Sequence, residues 1–280
     1  MTFQNKNKFQ KKKKKCQKWN QWFAGLIDGT GCFYINKKNE ISFELTAHIT
    51  DARIVYDIKN KLKAGSVKLR SGSNNIRYRV KQHAIILDIV NRINGKVRNS
   101  IRGNQFKKVC QLLNTTYIPP VSLVKSDLYL AGLFDADGTI NINVSKTSQS
   151  DSQKSKVYGQ IERLANSKDF NQLIIKIPCL NSNLSFISEF YGFGKINVTP
   201  LKNGKITKPK YYWTITDYEE IVLFYSYLKK RPLRSVKMHR IRLSFYYFHY
   251  KKLKYNLKSS NTVEYKIWSK FCNSWFKYMV

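Results

Sequence analysis

Residues 22–33, WFAGLIDGTGCF, and residues 129–140, YLAGLFDADGTI, are two versions of one motif. Gly25 and Gly132 hold the same place in the two copies, so each copy heads a stretch of about a hundred residues. Both read as apolar helices that keep small residues at Ala24-Gly25 and Ala131-Gly132. Glycine inside a helix costs about 1 kcal/mol relative to alanine. Meeting that cost twice at the same place predicts two backbones in close approach. Each helix stops at glycine, Gly29 and Gly31 in one copy and Gly138 in the other, as a C-cap with φ > 0 favours. Acids sit at these stops, where the helix dipole disfavours a carboxylate. Two such ends side by side make a negative focus, which a divalent cation with oxygen ligands relieves. A phosphate oxygen completing the ion's shell leads to metal-assisted phosphodiester hydrolysis.

Downstream of the two motifs the chain runs in parallel. After the first come the alternating runs CFYINKK and ISFELTAHIT, joined at Lys38-Asn39-Glu40 as a hairpin. DARIVYDIKNKLK then has helical spacing, with Ile54, Ile58 and Leu62 on one face. SVKLRS and IRYRVKQ flank the turn Gly72-Ser73-Asn74-Asn75, and AIILDIVNRI is a second helix ended by Asn94-Gly95. The second copy repeats the order with TININV, NQLIIKI, the helix LSFISEFY, GKINV, YYWTIT and the helix DYEEIVLFYSYL. Each part is therefore helix-strand-strand-helix-strand-strand-helix. The expected organisation is a basic tail over 1–17, a first half over 18–113, a linker over 114–126 containing Pro119-Pro120, a second half over 127–257 and an extension over 258–280. Residues 147–168 read as a polar loop inserted between strands, and 235–255 as a basic aromatic helix.

The 280 residues carry 51 Lys and Arg against 17 Asp and Glu, a formal charge of +34. With 42% hydrophobic and 14% aromatic residues the chain has material for a core, which excludes general disorder. A polyanion is the partner that offsets such charge. No apolar run approaches the length of a spanning helix, so a membrane partner is not expected. Cys16, Cys32, Cys110, Cys179 and Cys272 are scattered without zinc spacing, which points to a reducing compartment. His48, His83, His239 and His249 show no spacing for metal or triad chemistry. The stretch KNKFQKKKKK has neither the apolar core of a secretory signal nor any acid, and reads as a solvated arm able to touch phosphates. The abundance of Lys and Asn fits an AT-rich coding sequence, for which an organelle genome such as that of the mitochondrion is one source.

Strand alternation sets basic side chains on one face: Lys68 and Arg70 in one strand, Arg77, Arg79 and Lys81 in the next. A two-stranded ribbon fits the B-DNA major groove, where Arg can be bidentate to guanine. The matching strand of the second half carries Thr214 and Thr216 instead. The halves should then read different half-sites, with weaker charge at the second. Lys229-Lys230-Arg231 and Arg234-Ser235-Val236-Lys237 are expected on phosphates, which position without specifying. Tyr246-Tyr247-Phe248 and Tyr250 fit either a helix packing face or a platform for RNA bases.

The two motifs, with their matching downstream order, resemble the LAGLIDADG motif of homing endonucleases and intron maturases in the single-chain, two-motif form. The likeness covers nearly all of residues 18–255. It implies an α/β (α+β) fold of two pseudo-symmetric αββαββα halves joined by parallel motif helices, with saddle-shaped antiparallel sheets in the DNA major groove. It further implies a monomer, encoded by an intron, that cuts a long, nearly palindromic double-stranded site with Mg2+. The eighth motif position supplies the acid that binds the ion, and the carbonyl of the seventh often helps. Those positions are Asp137 with Ala136, and Thr30 with Gly29. Thr30 departs from the family pattern, being a neutral and weak ligand. Asp28 stands at the sixth position and cannot substitute, because two residues turn a helix by about 200°. Asp28 and Asp135 are expected behind the metal ligands or as caps. Lys81 is matched to the basic residue that the family keeps near its active site. The loss of one acid leaves three outcomes open: nicking one strand, cutting poorly, or not cutting. Family members that no longer cut survive as maturases that bind their own intron RNA, and that is the alternative function.

Overall fold

The computed structural model describes residues 3–124, 126–142, 173–179, 184–198, 209–259 and 261–278, with backbone alone over 3–15. The inserted loop read over 147–168 lies outside the described residues. The chain forms two compact units: residues 1–138 with 189–192 and 231–235, and residues 139–188, 193–230 and 236–280. Each centres on a four-stranded antiparallel sheet.

In the first unit the elements are α1 (Phe3–Thr30), β1 (Gly31–Ile35), β2 (Ile41–His48), α2 (Ala52–Leu62), β3 (Ser66–Leu69), β4 (Asn75–Val80), α3 (His83–Ile93), α4 (Ser100–Leu112) and α5 (Tyr129–Asp137). The sheet order is β1-β2-β4-β3. Along β4 burial alternates, with Ile76, Tyr78 and Val80 inward and Arg77 and Arg79 outward. The inward face receives Ile54, Val55, Ile58 and Leu62 of α2 and Ile86, Ile89, Val90 and Ile93 of α3. Asn39 in the first hairpin and Gly72 in the second take positive φ (61° and 70°), so both turns use residues that tolerate the left-handed region.

Two elements differ from the expectations. The basic stretch 1–17 does not stand apart as a tail: α1 continues back through it to Phe3. Lysine and glutamine are good helix formers, and nothing in the run breaks a helix. The other is α4, which lies in the stretch before the linker with no distinct apolar stripe. Its start is marked by Asn99, whose side chain accepts from the N–H groups of Ile101 and Arg102, a standard N-cap. Gln105 of α4 lines the edge of β1, accepting from Phe33 N (3.3 Å) and donating to Phe33 O (2.5 Å). This covers an otherwise open sheet edge.

The second unit holds β5 (Thr139–Ile142), β6 (Leu173–Cys179), α6 (Ser185–Tyr191, its last three residues counted with the first unit), β7 (Lys195–Val198), β8 (Tyr211–Ile215), α7 (Tyr218–Lys230), α8 (Lys237–Lys252) and α9 (Val263–Phe276). The sheet order β5-β6-β8-β7 repeats that of the first. Trp213, fully buried, packs against Phe193 and Phe224 at 6.1 Å. The extension over 258–280 is largely α9, which buries Trp268, Phe271, Cys272 and Trp275. Arg240 of α8 donates to the carbonyls of Ile140 in β5 (3.2 Å) and Trp275 in α9 (3.1 Å). Arg240 thus does for the β5 edge what Gln105 does for β1.

Candidate active site and nucleic-acid face

The two motif helices, α1 and α5, lie together in the first unit. Their glycines are where the main chains touch. A Cβ built on Gly25 would overlap the Tyr129 carbonyl and stand 2.8 Å from Leu133 N. One built on Gly132 would overlap the Trp22 carbonyl and stand 3.0 Å from Leu26 N. Further along, a Cβ on Gly29 would overlap Ala136 Cβ and reach 3.1 Å from Asp137 Oδ2. Contacts therefore advance in step along both helices, 22–25 against 129–133 and then 29 against 136–137. The helices run parallel and end together. Small residues one turn apart, Gly25 and Gly29 facing Gly132 and Ala136, permit this approach.

Behind the ends, each motif's sixth residue is buried and held by three donors. Asp28 Oδ2 accepts from Arg98 N (2.6 Å), Asn99 N (3.1 Å) and the Tyr129 hydroxyl (2.7 Å). Asp135 accepts from Arg234 N (3.0 Å), Ser235 N (2.9 Å) and Trp22 Nε1 (2.8 Å). Trp22 and Tyr129 open their respective motifs, so each motif's first aromatic donates to the other motif's carboxylate. An arginine covers each ring: the Arg98 guanidinium lies 5.4 Å from the Tyr129 centroid and that of Arg234 3.8 Å from the Trp22 centroid, within cation–π range. Hydrogen bonds to a charged group contribute about 1.5–3 kcal/mol each.

Burial costs the Asp28 carboxylate more than its donors return, and its carboxyl is pushed up to about 6. The folded chain therefore binds this proton more tightly than the unfolded chain, whose aspartate titrates near 3.8. The linkage makes stability fall as pH rises from about 4 to about 6 and leaves it flat above. Asp28→Asn removes that slope. Its own cost, an amide group placed where Oδ1 has no hydrogen-bond partner among the described residues, is expected to be greatest at pH 4. By pH 7 the gap to wild type should narrow by about 3 kcal/mol. Urea unfolding of both proteins across that range measures it, and a pH-independent gap contradicts the burial of a titrating carboxyl.

Asp137 is half-buried at the end of α5, and Thr30 half-buried at the end of α1. The Thr30 hydroxyl turns back towards its own helix, 3.5 Å from Leu26 O. Among the described residues no cluster of three or more His, Cys, Asp or Glu side chains could hold a metal. The donors at the helix ends are thus one carboxylate and main-chain carbonyls. Mg2+ accepts such a set when phosphate oxygens and water complete its shell. Because Gly29 lacks a Cβ, Ala136 and the Asp137 carboxylate come up against the end of α1, and this donor set fits the ion.

Lys81 stands apart from this end. Gly31, next to the motif end, pairs with Leu45, which in turn faces Tyr78 on β4. Lys81 lies three residues past Tyr78 in the direction leading away, about 10 Å along the strands. There it is exposed and lines a cleft of about 580 Å³ with Tyr34, Glu40, Arg79 and His83. The expectation that Lys81 acts at the motif end is corrected by this register. The half-buried Arg234 lays its guanidinium on the Trp22 ring and its main chain on Asp135. Lys230 is exposed and Lys237 half-buried at the start of α8.

On the outer face of the first sheet Lys68 pairs across from Arg77, and Arg79 from Glu44. Arg70 is exposed just beyond β3. Glu44 holds Arg77 at 3.3 Å and Arg79 at 2.9 Å, fixing two guanidinium groups side by side. The second sheet is less neutral than its Thr214 and Thr216 suggested. The cross-strand row Thr139, Lys176, Thr214, Lys195 corresponds to Cys32, Glu44, Arg79, Ser66 in the first sheet. Charge has moved to the neighbouring strands. Lys176 extends over the Tyr212 ring at 5.0 Å.

A family model described as LAGLIDADG endonuclease matches residues 23–113 and again 130–252. A probable intron-encoded endonuclease, aI2, of Debaryomyces hansenii is 35% identical over 92% of this chain and 38% of its own length. The intron-encoded RNA maturase bI4 of Saccharomyces cerevisiae is 36% identical over 92% of this chain and 36% of its own. The chain thus spans little more than a third of these relatives. Among solved structures, the I-LtrWI LAGLIDADG homing endonuclease bound to target DNA aligns with a TM-score of 0.65 at 16% identity, covering 94% of this chain and 98% of that one.

Proposed function

The chain belongs to the LAGLIDADG endonuclease family, and on that premise we propose that it is an intron-encoded, site-specific DNA endonuclease of a mitochondrial genome. In this reading it acts as a monomer on double-stranded DNA with Mg2+. The observation that carries the proposal is the paired ending of α1 and α5, which sets Gly29 directly against Ala136 and Asp137. Asp137, with the carbonyls of Ala136 and Gly29, would hold the ion. When bound, the ion neutralises the scissile phosphate and lowers the pKa of a water. Asp28 and Asp135 hold the helix ends in register through the segments at 98–99 and 234–235. Lys68, Arg70, Arg77, Arg79 and Lys81 in the first half, and Lys176 and Lys195 in the second, bind the duplex in two unlike half-sites. Lys230 and Lys237 serve its phosphates.

Thr30 leaves one of the two helix ends without a carboxylate, so cutting is unequal between strands. Supercoiled plasmid carrying the intron-free junction of the host gene, incubated with Mg2+, should accumulate nicked circles well before linear product. Thr30→Asp should raise the linear product at least about tenfold. An unchanged yield would remove Thr30 from the site.

A second reading is favoured by that same missing acid together with the likeness to the RNA maturase bI4. On it, the chain binds its own intron RNA and assists splicing without cutting. Absence of any cleavage, with intron splicing rescued, distinguishes it.

A further inference from the structure

In α8 the aromatic run divides by face. Tyr247 is buried with Met238, Ile241 and Ser244, whereas Tyr246 is 53% exposed. Tyr246 and Tyr250 are one turn apart, with ring centroids at 6.0 Å. Beyond the helix, Lys254 adopts a left-handed conformation (φ 56°) and turns the chain back through Tyr255. That ring then lies parallel to Tyr250, at 5.5 Å and 9°. Phe271 of α9 supports Tyr250 edge-on at 5.8 Å. The outcome is a row of three rings fixed on the surface of one unit.

The charge around the row has one sign. No Asp or Glu occurs between Glu220 and Glu264, a stretch holding 11 Lys and Arg. Arg242 lies one turn before Tyr246, and Lys252, Lys254 and Lys258 are exposed beside Tyr250 and Tyr255. Lysines alone would suit any phosphate backbone. Fixed rings at successive positions suit unstacked bases, which a duplex does not offer.

We propose that Tyr246, Tyr250 and Tyr255, with Arg242, Lys252 and Lys254, form a stacking platform for single-stranded RNA. The proposal rests on the RNA-assisting reading and assigns it a surface on elements other than the duplex-binding sheets. Bases stack on the tyrosine rings while the cations track the backbone. The source is RNA because single-stranded loops are what a folded intron presents, whereas the DNA target is a duplex.

The test measures binding of the full chain to a fluorescein-labelled 12-nucleotide oligo(A) RNA by anisotropy. The same-sequence DNA strand and a 12-base-pair DNA duplex are parallel probes. Tyr246→Ala, at the most exposed ring, is expected to weaken RNA binding about tenfold, and Tyr246→Trp to retain it. Lys252→Ala with Lys254→Ala should lower the salt dependence of RNA binding. Circular dichroism melting of each variant should match wild type. If wild type binds oligo(A) and Tyr246→Ala binds it equally, the platform is overturned while the RNA-assisting reading stands. Failure of wild type to bind any RNA overturns that reading itself. An equal loss with the duplex probe reduces the patch to a phosphate surface and overturns the proposal. Equal affinity for the DNA strand overturns RNA as the ligand.

Discussion

Gly132→Ala is expected to lower folding stability by about 4 kcal/mol, at the upper end for a single substitution. The added methyl group would overlap the Trp22 carbonyl, and main chain cannot rotate aside as a side chain can. Gly25→Ala, which meets the Tyr129 carbonyl, should cost a similar amount. For a chain of this size the loss appears as a fall in Tm of roughly 10 °C, read by differential scanning calorimetry. Gly103→Ala is the contrast. Gly103 lies in α4 with nothing within 4 Å of its Cβ position, so alanine should stabilise by up to about 1 kcal/mol. A Gly132→Ala protein that melts within two or three degrees of wild type, on the scale of about 1 kcal/mol, would rule out the close contact of α1 and α5.

Asp137→Asn should reduce strand scission at least about a hundredfold, the scale seen when one charge-stabilising group leaves an active site. Binding to the duplex target should change little, because the side chain belongs to the helix end and not to the sheets. The amide keeps the size and most of the polarity of the carboxyl, so the half-buried site is filled. Time courses on plasmid, paired with gel-shift titration in the absence of divalent ions, separate the two effects. Scission at the wild-type rate in Asp137→Asn would show that the carboxylate holds no metal. Weaker binding with unchanged single-turnover scission would move Asp137 to the DNA-contacting surface.

Much of the architecture is written in short-range patterns. The strand alternation over 76–80, the spacing of Ile54, Ile58 and Leu62, and the repetition of the motif each reflect a period that neighbouring residues must obey. Two αββαββα halves result from that repetition. The site was less legible. Thr30 shows directly as a missing acid, since it depends on one position alone. The donors to Asp28 and Asp135 do not show, because they are main-chain N–H groups, which any residue but proline possesses, and they come from 98–99 and 234–235. Arg234 reads as a phosphate ligand by its charge and proves to cover an aromatic ring. Lys81 alternates correctly for the outer face, but alternation fixes the face of a strand and says nothing of distance along it. The start of α4 was present in Asn99, whose capping role outweighs the lack of an apolar stripe.

The exchange of donors between the motifs bears on how such a chain can be re-engineered. Trp22 completes the environment of Asp135, and Tyr129 that of Asp28. Grafting one half onto the corresponding half of another family member therefore transfers a carboxylate without the aromatic that satisfies it. A workable hybrid must carry position 22 with 135 and position 129 with 28 as matched pairs. The unit of inheritance at this interface is the pair of residues and not the half.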